Sequence, residues 1–208
     1  MRTGGIVLCG GRSSRMGRPK AWLPFDGELL LPRVVRILRA VVDPVVVVAA
    51  TNQDLPSLPP GVEIVRDEED GRGPLQGLVA GLAAIEGQAD TVYVSACDAP
   101  FLDPRFVRRM VDLLGDFDAC VPEIAGYRHP LAAVYRVGVR EVALALLATS
   151  QGRAVSLLEK VRTRAVGPAE VEDIDPGFRS LQNLNTPEEY EAALRDLDHP
   201  TSPEEDLE

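Results

Sequence analysis

The chain has 208 residues, 45% of them hydrophobic and 26% charged, with 18 glycines and 17 prolines, which is the composition of one globular domain with material for a sizeable core. Its formal net charge of −10 speaks against a general affinity for nucleic acid or an anionic membrane. No run approaches the roughly 18 apolar residues of a membrane span, and the N-terminus lacks the order of a secretory signal, so a cytoplasmic protein is expected.

The apolar runs alternate between β and α character. Gly5–Cys9 is a short β-type run that ends in glycines, and Pro32–Ala40 has helical periodicity. Val45–Ala50 is continuously apolar, as strands covered on both faces are. Val62–Val65 follows as a strand, Pro74–Ile85 as a helix, Thr91–Ala96 as a strand and Pro104–Leu114 as a helix. Asp103 before Pro104 offers an N-cap with proline at the first helical position. Ala119–Val121 and Leu131–Tyr135 read as strands, Val139–Leu147 and Arg153–Lys160 as helices. Thr186 with Glu189 forms a capping box that opens a last helix to about Leu197. Repeated strand, helix, strand units predict a three-layer α/β domain, a mostly parallel twisted sheet with helices on both faces. No linker divides it, so residues 1–198 form one domain, and the acidic, proline-bearing stretch 199–208 is expected to be a disordered tail. Cys9, Cys97 and Cys120 are odd in number and lie in apolar runs, which predicts buried thiols rather than disulfides or a zinc site.

Ligands of open α/β sheets bind beyond the carboxyl ends of the strands. Beyond the first strand stand Gly10 and Gly11, followed by Arg12, Ser13, Ser14, Arg15, Arg18 and Lys20. Paired glycines after a buried strand let bare N–H groups meet an anion. Residues 1–25 carry five basic side chains and no acidic one, and nine of the chain's acidic residues fall in 186–208 against Arg195 alone. The negative balance therefore belongs largely to the C-terminal end, while the glycine loop is suited to a nucleoside triphosphate. Of the 22 basic residues only Lys20 and Lys160 are lysines, which draws attention to Lys20. The spacing fits neither a Walker loop nor a dinucleotide fingerprint.

The segment Leu8-Cys-Gly-Gly-Arg-Ser-Ser-Arg-Met-Gly-Arg-Pro-Lys20 resembles the L-A-G-G-x-x-x-R-M-G-x-x-K loop of single-domain Rossmann-like nucleotidyltransferases, the nucleotide-diphospho-sugar transferase fold. Within them it looks most like the molybdenum cofactor guanylyltransferases, which join GMP from GTP to molybdopterin and release pyrophosphate. The resemblance implies GTP contacts from Leu8, Cys9, Gly10, Gly11, Arg15 and Lys20. It also implies Mg²⁺ as cofactor on Asp98, through the pattern Cys97-Asp98-Ala-Pro-Phe-Leu102. A single carboxylate at a strand end facing a phosphate loop suits Mg²⁺, which completes its shell with water and phosphate.

Asp67, followed by Gly73-Pro-Leu-Gln-Gly77, resembles the family's segment near the guanine, and Gly77, Ala80, Gly81 and Ala84 are small enough for a helix packed closely on the sheet. Arg128-His129-Pro-Leu resembles an acceptor-side element, although a hydrogen-bonded structural histidine fits equally. Asn183 and Asn185 match the family's N-x-N-T-P-E end, and their alternation predicts an edge strand presenting both amides to the acceptor. The chain departs from the pattern in three places. Cys9 replaces an Ala, some members of the family place one more residue between Gly17 and Lys20, and Ala49 stands where an Asn is frequent, with Asn52 three residues later as a candidate substitute.

The implied partners are GTP and molybdopterin or the molybdenum cofactor, with transient contact to a cofactor carrier or target enzyme, and neither nucleic acid nor membrane. A cytidylyltransferase of the same fold and a non-catalytic nucleotide-binding module are the competing readings. A dinucleotide-dependent oxidoreductase lacks its glycine fingerprint.

Overall fold

The structure, a computed structural model, describes residues 1–10, 16–67, 73–149 and 152–198. In chain order the strands are Thr3–Leu8 (β1), Pro24–Phe25 (β2), Glu28–Leu29 (β3), Val45–Ala50 (β4), Glu63–Asp67 (β5), Thr91–Ala96 (β6), Ala119–Ile124 (β7), Tyr127–Arg128 (β8), Ala132–Arg136 (β9) and Thr163–Val166 (β10). The α-helices are Leu30–Arg39 (α1), Pro74–Ile85 (α2), Pro104–Leu113 (α3), Arg140–Ala148 (α4), Ala154–Leu158 (α5) and Pro187–Asp198 (α6). The main sheet runs β10-β7-β9-β6-β1-β4-β5, with β8 paired to β7. Every pairing along this path is parallel except those of β9, which runs antiparallel to β6 and β7. Helices α1, α2 and α3 link parallel strands, as the alternating pattern predicts.

The continuous apolar runs are explained by the layers that cover them. Val7, Val45, Val47, Tyr93 and Val134 face α1 and α3, where Val34, Leu38, Phe106 and Met110 pack on them. Their neighbours Ile6, Val46, Val48, Val92, Val94 and Ala133 face the other way, onto Leu75, Leu78 and Leu82 of α2 and Leu146 and Leu157 of α4 and α5. A strand buried on both faces has no polar side to alternate with. The small residues of α2 serve close packing: a Cβ on Gly81 would lie 2.7 Å from Ile6 Cγ2 and 2.9 Å from Ile6 Cδ1. Cys9, Cys97 and Cys120 are buried free thiols, as expected.

A third apolar cluster joins α6 to the segment after the glycine loop, with Leu184 and Ala193 against Met16, Leu23, Phe25 and Leu30. The Tyr190 hydroxyl donates to Pro24 O at 2.5 Å. Helix α6 opens on the anticipated capping box, Glu189 N to Thr186 Oγ1 at 3.2 Å and Thr186 N to Glu189 Oε2 at 3.1 Å. This packing fixes the turn Lys20–Trp22 beside the sheet.

The structure corrects the sequence reading at several elements. Residues 182–185 form no strand; they are an irregular segment held by Leu184 N to Asp98 O at 3.0 Å. Strand β10 and the small hairpin β2-β3 were not expected. The stretch 199–208 lies outside the described residues.

Candidate active site

Because β1, β4, β5 and β6 are parallel neighbours, their carboxyl ends open on one edge. Between them is a cleft of about 440 Å³ lined by Leu8, Cys9, Gly10, Ala49, Ala50, Asp67, Cys97 and Asp98 from the strand ends, with Gly73, Pro74 and Gly77 from α2 on one side. Lys20, Asn183 and Asn185 reach it from outside the sheet. Gly73 turns the chain into α2 with φ of 82°, a value that favours glycine. Gly11 and Arg15 lie outside the described residues.

The polar centre of the cleft is assembled from three distant parts of the chain. Lys20 Nζ donates to Asp98 Oδ2 at 2.5 Å and to Asn185 Oδ1 at 3.0 Å. Both partners of the ion pair are largely buried, with side-chain exposures of 18% for Lys20 and 8% for Asp98. Asp98 is held at its place by the backbone on both sides: Cys97 N donates to Leu8 O at 3.0 Å, and Leu184 N to Asp98 O. Asn185 is fixed through its own N–H, which donates to Glu189 Oε2 at 2.6 Å. The capping glutamate of α6 thus also places an amide of the cleft.

Asp67 lies at the end of β5, paired with Ala50, and its carbonyl accepts from Thr51 Oγ1 at 3.0 Å. The Cys97 thiol is pushed well up by its hydrogen bond with Cys9 and by burial, so it stands as a neutral thiol and not a nucleophile.

A second cavity, of about 930 Å³, adjoins the first and shares Gly73, Pro74, Leu131 and Asn183 with it. Arg128, His129, Arg153 and the start of α5 line it. Arg128 is paired with Glu123, Nε to Oε2 at 2.8 Å. His129 is half-buried, and burial lowers its pKa, which favours the neutral imidazole at pH 7. Its backbone N–H donates to Pro122 O and its carbonyl accepts from Ala132 N, so its main chain has a structural role while the residue also lines the cavity. Arg128 and His129 are therefore not in the first cleft; Asn183 touches both.

Two residues that brace the cleft's backbone without lining it, Gln53 and Arg66, escaped the sequence. Asn52, expected to replace the frequent Asn, is exposed and does not line the cleft. Its neighbour Gln53 reaches inward instead, and Arg66 closes the same turn from β5, with contacts of 3.0 Å to Ala50 O and 2.8 Å to Gln53 O. A glutamine in a polar turn carries no local sign of a contact made 44 residues away.

What this edge of the sheet carries is the equipment of a nucleotidyltransferase. The chain belongs to the MobA-like NTP transferase domain family, whose model matches residues 5–165. It is 33% identical over 197 residues to a probable molybdenum cofactor guanylyltransferase of Bacillus cereus, covering 93% of this chain and 96% of the relative. In fold it is similar to the molybdopterin-guanine dinucleotide biosynthesis protein A of Archaeoglobus fulgidus, with a TM-score of 0.77 at 20% identity over 94% of this chain and 98% of that one. It is also similar to the 4-diphosphocytidyl-2C-methyl-D-erythritol synthase of Anaerococcus prevotii, with a TM-score of 0.70 at 12% identity over 95% and 96% of the two chains.

Proposed function

We propose that the protein transfers GMP from GTP to the terminal phosphate of molybdopterin, releasing pyrophosphate and forming the guanine dinucleotide cofactor. The observation that carries this reading is the Lys20–Asp98–Asn185 cluster in a cleft lined by strand ends and a glycine turn, which adjoins a second cavity lined by arginine and histidine. In this reading the first cleft takes GTP, with Asp67 at the guanine end and Leu8 to Gly11, Arg15 and Lys20 along the triphosphate. The second takes the acceptor, with Arg128 and His129 lining it and Asn183 on the shared wall, while Asn185, expected on the acceptor side, lines the first cleft beside Lys20. The similarity to named molybdenum cofactor guanylyltransferases supports the choice of nucleotide and acceptor.

The residues fit a divalent cation. Two oxygens, Asp98 Oδ2 and Asn185 Oδ1, already converge on one positive charge, the Lys20 ammonium. Mg²⁺ is bound through one or two carboxylates plus substrate phosphates and water. Among the described residues no three His, Cys, Asp or Glu side chains gather into an all-protein cage. Asp98 and Asn185 would hold the ion, and when bound it neutralises charge on phosphoryl oxygens.

The chain's own residues account for the rest. The acceptor phosphate is already anionic, so its oxygen attacks the α-phosphorus while the bond to the β-phosphate breaks, and no protein nucleophile is consumed. The task is to bring two anions together in line, which positioning and electrostatic stabilisation achieve. Lys20 and Arg15 supply positive charge to the triphosphate. The domain would span residues 1–198, with 199–208 an acidic tail. Among the described residues no helix is long and apolar enough to cross a membrane.

The test is pyrophosphate release with GTP, CTP and ATP, each with and without molybdopterin and with Mg²⁺. Acceptor-dependent release with GTP alone is expected. Release with CTP alone would replace the base assignment, and no acceptor-dependent release with any nucleotide would overturn the enzyme reading.

A further inference from the structure

Between neighbouring parallel strands hydrogen bonds are evenly spaced: alternate residues of one strand donate to the residue before their register partner and accept from the residue after it. At the carboxyl ends of β1 and β4 this ladder is regular through Cys9 N, which donates to Val48 O at 2.8 Å. The next rung would be Ala50 N to Cys9 O. It is made instead through a side chain: Ala50 N donates to Gln53 Oε1 at 3.2 Å, and Gln53 Nε2 donates to Cys9 O at 2.8 Å. A carboxamide therefore stands between the two strands at the point where the nucleotide cleft opens. Gln53 itself is anchored by its N–H to Ala50 O at 3.1 Å and by Arg66 on its carbonyl.

We propose that Gln53 is a positioning residue for the nucleotide. Its carboxamide, inserted as a rung between Cys9 O and Ala50 N, sets the separation of Cys9–Gly10 from Ala49–Ala50 and so the span between the phosphate end and the base end of the cleft. The inference rests on the reading that this cleft takes the nucleotide. The role needs an acceptor and a donor on one planar group at a fixed reach. Glutamate keeps the acceptor but sets a second oxygen against the Cys9 carbonyl, and methionine keeps the reach and loses both functions.

The test compares Gln53→Met and Gln53→Glu with the wild type by calorimetric titration of GTP and by steady-state kinetics. Both variants are expected to weaken nucleotide binding at least about tenfold, as displacement of a positioning contact does, with KM for the nucleotide raised, kcat at saturation largely kept and the acceptor KM unmoved. A role in stability alone would lower the folded fraction, reducing apparent kcat at unchanged KM, and would overturn the proposal. So would nucleotide affinities within about twofold of the wild type in both folded variants, or failure of both to fold. If the wild type binds CTP and not GTP, the base assignment fails while the same comparison, made with CTP, still decides the role of Gln53.

Discussion

Lys20 and Asp98, 78 residues apart in sequence, form a short and largely buried ion pair whose lysine is also held by Asn185. On the proposed reading the ammonium occupies the point on which Asp98 Oδ2 and Asn185 Oδ1 would hold a metal ion, so lysine and ion would compete for the same two atoms. Lys20→Ala is expected to lower pyrophosphate release at least about 10²-fold, the scale of removing one electrostatic stabiliser. The same variant, titrated with Mn²⁺ alone and followed by electron paramagnetic resonance, is expected to bind the ion more tightly than the wild type. Turnover near the wild-type rate would remove Lys20 from the chemistry.

Asn185 Oδ1 accepts a charge-assisted hydrogen bond from Lys20, a kind that contributes about 1.5–3 kcal/mol. Asn185→Ala is expected to reduce kcat/KM by about tenfold or more, within the range those energies set, whereas Asn183→Ala, at the wall shared by the two cavities, is expected to raise the acceptor KM more than the nucleotide KM. Equal effects of both variants on both substrates would contradict this division.

Gly81 lies where α2 crosses Ile6 of β1, and an added Cβ would sit 2.7 Å from Ile6 Cγ2. Overpacking of a filled core costs about 1–3 kcal/mol, and in a domain of this size each kcal/mol moves the melting point by about 2–4 °C. Gly81→Ala is expected to melt several degrees below the wild type in a calorimetric scan. An unchanged or higher melting point would show that the helix can lift away freely.

Asp175 is 5% exposed, and burial raises its pKa above the ordinary aspartate value despite a hydrogen bond from Ser180 N at 2.9 Å. The unfolded chain therefore ionises first as the pH rises, so stability falls from about pH 4 up to the folded-state pKa and stays reduced above it. Asp175→Asn, which can still accept from Ser180, is expected to melt higher than the wild type at about pH 8 and to lose that advantage at about pH 3, below both pKa values. A variant less stable than the wild type at the higher pH would refute the assignment.

The sequence discloses the layered sheet because Val45–Ala50 is apolar on both sides, and that pattern has one common explanation. It discloses α2 and α3 because Pro74, and Asp103 with Pro104, mark their starts chemically. It hides β10, whose four residues Thr-Arg-Ala-Val carry little apolar signal and whose strand character comes from pairing with β7. Asn183 and Asn185 are legible as cleft residues, and both line it, but their alternation suggests a strand where the backbone is pinned instead by Asp98. Gln53 is illegible because its meaning lies in a rung missing between Cys9 and Ala50, a property of two strands meeting and of neither alone.

The antiparallel strand β9 has a further consequence. Running against its neighbours, it brings the residues before it, Arg128 to Leu131, to the edge where the other strands end. Apart from the shared Gly73, Pro74, Leu131 and Asn183, the first cleft is lined by residues up to Asp98 together with Asn185, and the second by Ala99 and residues from Arg128 onward. Among the described residues only Asn185 carries the later part of the polypeptide back to Lys20 in the first cleft, so an exchange confined to the stretch from Arg128 to Leu181, with Asn185 kept, is the change that would retarget one cavity while leaving most of the other's lining in place.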